Sequence, residues 1–62
     1  MENKLKVCRA EEDITQKELA ERMEVSRQTI NAIETGKYDP SLELALKLAD
    51  FFDRKVENIF SL

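Results

Sequence analysis

Apolar residues recur at helical spacing along almost the whole chain, and the pattern is sharpest over residues 15–37. There Leu19, Ala20 and Met23 mark one short amphipathic helix, and after Val25 the period restarts at Ile30 and Ile33. Polar residues set the boundaries. Thr15 with Glu18 three positions on forms a capping box, in which hydroxyl and carboxylate each satisfy a free backbone N–H. Ser26 suits the N-cap of the second helix, and Gly36 its end. Helices of about two turns are marginal by themselves. Ala20, Val25, Ile30 and Ile33 are therefore expected to clamp the pair, with Ala20 where the backbones approach and Val25 beneath the turn.

The flanking pattern adds three more helices. Over about 4–12, Leu5, Cys8 and Glu12 share a face, with Val7 to one side. Pro40 holds Asp39 extended, and Ser41 caps a helix over 42–52. This fourth helix is apolar nearly all round, its polar positions being only the stripe of Glu43, Lys47 and Asp50. Leu42, Ala45, Ala49 and Phe52 suit the core, while Leu44, Leu48 and Phe51 form a second ridge. Residues 55–60 read as a short fifth helix, with Val56, Ile59 and Phe60 inward or at an interface. The pattern predicts an all-α, compact five-helix bundle forming a single domain over residues 1–62. So short a chain is not expected to cover all of this apolar surface. A homodimer is expected, with Leu44, Phe51, Ile59 and Phe60 at its interface.

The helix after Val25 carries the candidate chemistry. At 100° per residue, Ile30 and Ile33 leave Gln28, Asn31 and Thr35 on the outward side, flanked by Arg27 and Ala32. Arginine, glutamine, asparagine and threonine are the side chains that read base edges in duplex DNA. The bland alternative is a solvated face, for which glutamate or lysine suits a helix better than Gln, Asn and Thr.

The stretch Thr15-Gln16, Leu19-Ala20, Val25-Ser26, Gln28-Thr29-Ile30, Ile33-Glu34 and Gly36-Lys37 resembles the phage-repressor and Cro-type (XRE) family of helix-turn-helix transcriptional regulators. The combination TQxxLA, VSxxTI and IExGK is specific where any one alone would be weak, and the resemblance runs over 5–60. It implies a lambda-repressor-like bundle whose second helix lies across the DNA backbone and whose third enters the major groove. Gln16 would bind phosphate and brace the first reading residue. Arg27 and Gln28 would reach bases, and Asn31 a base or a phosphate one turn on. Thr35, Lys37 and Tyr38 would meet the sugar-phosphate backbone, with Lys17, Ser26 and Thr29 completing the DNA-contacting set. For Tyr38 the alternative is a ring packed across its loop. The resemblance also implies an ion pair between Arg9 and Glu34. Asp13, Glu24 and Asp53 stand where the family often has glycine, and at Glu24 a left-handed backbone costs roughly 1 kcal/mol.

Charge is the one feature that argues against DNA. The net charge is −3 and the pI about 4.9, whereas DNA binders usually carry a basic footprint. Placing the charges weakens the objection, because Asp39, Glu43, Asp50, Asp53 and Glu57 lie beyond the reading helix. Helix N-termini also offer backbone N–H groups to phosphates. With no histidine, one apparently buried cysteine and no phosphate loop, neither an enzyme nor a metal or cofactor site is expected. The absence of a disulfide framework and of an apolar span favours the cytoplasm, with no membrane partner and no small-molecule effector domain. RNA is disfavoured by its narrow major groove and by the lack of stacking aromatics. The expected function is a sequence-specific double-stranded DNA-binding regulator, a repressor on a palindromic operator. The alternative is an antitoxin or transcription-bridging protein-interaction module.

Overall fold

Five helices follow one another in the computed structural model, which describes all 62 residues: α1 (Leu5–Glu11), α2 (Gln16–Met23), α3 (Arg27–Glu34), α4 (Leu42–Phe52) and α5 (Val56–Ile59). Each of the first four stops in the same way. Asp13, Glu24, Gly36 and Asp53 take positive φ, at 53°, 60°, 78° and 55°. The following N–H then reaches back five residues, from Ile14 to Arg9 O, Val25 to Ala20 O, Lys37 to Ala32 O and Arg54 to Ala49 O. This is the Schellman arrangement, which satisfies carbonyls the helix leaves over. Three of the four left-handed positions are acidic residues rather than glycine. Glu24 sits at φ 60°, ψ 40°, so the helix-turn-helix corner keeps its geometry without glycine.

The helices enclose one core of fourteen buried residues contributed by all five, in which Leu5, Cys8, Leu19, Ile30 and Leu48 are wholly inaccessible. Burial raises the pKa of the Cys8 thiol, so Cys8 acts as a small core hydrophobe. Ala20 is buried at the α2–α3 crossing and Val25 packs half-buried under the turn. Lys47 extends from α4 to donate to the Met23 carbonyl at 3.2 Å, tying α4 to the end of α2.

Two features differ from the expectation. First, the chain ends form a small antiparallel ribbon, β1 (Glu2–Asn3) with β2 (Phe60–Ser61), in register Glu2↔Ser61 and Asn3↔Phe60. Asn3 fastens it: Nδ2 donates to Ile33 O at 2.8 Å, and Oδ1 accepts from the Leu5 N–H at 3.1 Å. The fifth helix is accordingly shorter than 55–60, and Lys55 gives it no side-chain cap.

Second, the apolar surplus lies elsewhere. Leu44, Ile59 and Phe60, expected at a subunit interface, are only 8%, 2% and 6% exposed within the single chain. Leu48 of the same ridge is fully buried, whereas Leu42, expected in the core, is 73% exposed and Leu46 is 52% exposed. The ribbon explains the correction. By pinning the two ends together, with Lys4 N donating to Ile59 O at 2.7 Å, it holds α5 against α4, and Ile59 and Phe60 join the core. Phe51 is half-buried, edge-on to Phe52 with centroids 5.0 Å apart, and the Arg22 guanidinium lies 5.9 Å from its centroid.

Candidate nucleic-acid interface

The geometry of the α2–turn–α3 unit begins at its caps. Thr15 Oγ1 accepts from the Glu18 N–H at 3.0 Å, and the Glu18 carboxylate accepts from the Thr15 N–H at 2.9 Å. Ser26 Oγ accepts from the Thr29 N–H at 3.1 Å and its hydroxyl meets that of Thr29 at 2.9 Å. Ser26 and Thr29 thus fix the start of α3, so their role within the chain is local architecture. Beyond the caps, α2 and α3 pack more extensively on each other than any other pair of elements.

The bonds from Thr15, its backbone N–H above all, hold the Glu18 carboxyl below its ordinary pKa of 4.5. A carboxyl lowered in this way contributes stability that is complete above its unfolded pKa and lost as pH falls through the folded one. Glu18→Gln keeps the acceptor but not the charge. Its melting temperature should fall below that of the parent at pH 7, and the gap should close as pH drops below about 4.5. An equal gap at pH 7 and pH 2 would show that the charge contributes nothing.

With Ile30 and Ile33 inward, α3 turns Arg27, Gln28, Asn31 and Thr35 to solvent. Arg27, Gln28 and Asn31 alone line a shallow depression on this face. A second one, lined by no hydrophobic residue, gathers Arg9, Thr15, Gln16, Lys17 and Arg27 at the start of α2. The first-turn N–H groups of α2 and α3 that the Thr15 and Ser26 caps leave free have no intrahelical acceptors, which suits them to anions. Lys17, Arg27 and Lys37 make no ion pair. The pairs in the chain are Arg9–Glu34, Arg54–Glu11 and the Met1 amino group with Asp39 at 3.6 Å. These three cations stay uncommitted despite the acidic total, and Lys17 and Arg27 share the second depression.

Other expected contact residues are partly committed within the chain. The Thr35 hydroxyl donates back to the carbonyls of Asn31 and Ala32, at 3.0 and 3.3 Å. Tyr38 is 49% exposed. It borders a groove with Val25, Thr29 and Lys47.

Gln16 departs from the expected brace to the first reading residue. Its Nε2 donates to Glu34 Oε1 at 3.0 Å and to Asn31 Oδ1 at 3.1 Å, one turn further along α3. Both amide hydrogens are then used within the chain. Glu34, with a side chain only 4% exposed, also accepts from Arg9 Nε at 2.8 Å and from a terminal guanidinium nitrogen at 3.3 Å. That pairing raises the Arg9 pKa. A third Arg9 N–H reaches Ile14 O at 3.0 Å. The result is a relay from α1 to the reading face: Arg9, Glu34, Gln16, Asn31.

Comparison with known proteins follows this geometry. The helix-turn-helix family model matches residues 5–59. An uncharacterised HTH-type transcriptional regulator of Methanocaldococcus jannaschii is 62% identical over 60 residues, covering 97% of this chain and 91% of the relative. Similar regulators of Archaeoglobus fulgidus and Bacillus subtilis are 50% and 48% identical, each over 97% of this chain and over 84% and 91% of the relative. On that match and these identities, the chain belongs to the XRE-type helix-turn-helix family of DNA-binding transcriptional regulators.

Proposed function

We propose that the protein is a cytoplasmic repressor that binds a palindromic operator as a homodimer, with α3 in the major groove and α2 across the backbone. The observation that carries this reading is the outward set Arg27, Gln28 and Asn31 on a helix clamped by Ile30 and Ile33. Arg27 suits guanine O6/N7 and Gln28 suits adenine N6/N7. Lys17, Lys37 and the N-terminus of α2 take phosphates, and Tyr38 reaches the backbone beside them. One reading helix makes few base contacts, so two related half-sites about 34 Å apart supply the specificity. Leu42 and Leu46, exposed one turn apart on α4, supply apolar surface for a subunit contact. Occupying a promoter then blocks transcription sterically.

Gln28→Ala should weaken cognate-site binding by about 1–3 kcal/mol, concentrated at one or two base positions, with the fold unchanged. Titration against single-base variants of a site selected from random duplexes measures it. Equal weakening on every sequence would remove Gln28 from the base-reading set.

The exposed Leu42 and Leu46 and the acidic balance also favour a second reading, an antitoxin or bridging factor whose main partner is a protein. A toxin gene beside this one supports that reading, and an inverted repeat upstream supports the first.

A further inference from the structure

The hydrogen bonds around Gln16 fix the polarity of Asn31. The Glu34 carboxylate is an acceptor only, and its 4% exposure leaves almost no water to satisfy it. Gln16 must therefore present its nitrogen to Glu34, never its oxygen. The second hydrogen of that nitrogen faces Asn31, which must answer with its own oxygen, as the 3.1 Å contact shows. Two amide orientations that would otherwise be free are set by one charge. Asn31 Nδ2 is left without a partner in the chain, on an exposed residue between Arg27 and Gln28.

Building on the DNA-reading role of α3, we propose that Asn31 is a donor-only reader, positioned by Gln16 to select a base whose major-groove hydrogen-bonding groups are all acceptors, guanine or thymine. Asparagine recognises adenine when oxygen and nitrogen together face N6 and N7. Here the oxygen is turned inward to Gln16 and only the NH2 end is offered. Guanine presents acceptors at N7 and O6 and thymine at O4, and both accept from that end, whereas adenine sets its N6 donor against it beside N7. Gln16 is thus a positioning residue that acts on specificity without touching a base.

Selection from random duplexes, followed by titration of single-base variants, tests the assignment on the parent and three variants whose folding is checked by thermal melts. With the parent, the column that Asn31→Ala erases should be guanine or thymine. Asn31→Asp keeps an oxygen for Gln16 and replaces the outward donor with an acceptor. Its column should move toward cytosine, whose N4 donates, by about tenfold over the parent base. Gln16→Ala frees the Asn31 amide to turn, so the same column should move toward adenine while the others stand. Asn31→Asp lies on the exposed face and gives the answer even where Gln16→Ala melts too low. Adenine in the parent column, or a column indifferent to Asn31→Asp, overturns the proposal but leaves the DNA-binding reading intact. Failure of the parent to enrich any sequence overturns both.

Discussion

Arg9→Ala is expected to remove much of the stability of the domain. Three N–H groups of Arg9 join α1 to Glu34 at the end of α3 and to the Ile14 carbonyl. The side chains of Arg9 and Glu34 are 17% and 4% exposed, so the pair is shielded from solvent. Deleting the arginine strands a carboxylate whose remaining side-chain donor is the neutral Gln16 amide. Leaving one member of a buried pair uncompensated costs about 3–5 kcal/mol. A chain of this length has a total of about 3–9 kcal/mol at roughly 0.05–0.15 kcal/mol per residue. A loss of 3 kcal/mol lowers the melting temperature by about 12 °C or more. The double substitution Arg9→Met with Glu34→Leu should be more stable than Arg9→Ala alone, because it leaves no lone charge inside. Melts of single and double variants decide the matter. A cost below about 1 kcal/mol for Arg9→Ala would place the pair among ordinary surface bridges.

The same pair shows where local pattern is enough and where it is not. The helix-turn-helix is legible because its determinants lie within a few residues of each other: Thr15 with Glu18, Ser26 with Thr29, and the isoleucines three apart. Outward exposure of Arg27, Gln28 and Asn31 follows from the same arithmetic of 100° per residue. The left-handed corners at Asp13, Glu24 and Asp53 are legible only through the family resemblance, since an acidic residue there gives no signal of its own. Gln16 and Asn31 are fifteen residues apart, and their contact depends on how α2 crosses α3, which periodicity does not encode. Asn3 gives no local signal for a similar reason. Its bond to Ile33 spans thirty residues, and a two-residue strand has no period to detect. In α4 the obstacle was different. A helix apolar nearly all round offers several burial faces of similar merit, and its packing on α2 and α5 chooses among them.

That choice makes the second large prediction, Ile59→Ala. Ile59 is 2% exposed, and its carbonyl accepts from Lys4, so one residue seals the core and anchors the ribbon. Truncating a buried isoleucine to alanine costs about 2–5 kcal/mol through lost transfer energy and the cavity left behind. α5 has four residues and no side-chain cap, so little local stability compensates. The site of the loss determines how it depends on concentration. A side chain buried inside one chain loses the same stability at every protein concentration. One buried between subunits weakens association instead, and mass action restores it as concentration rises. Melts of Ile59→Ala and the parent over a hundredfold range of concentration should show the same deficit throughout. A deficit that fades at high concentration, with sedimentation showing dissociated but folded chains at low concentration, would move Ile59 out of the core and return it to a subunit interface.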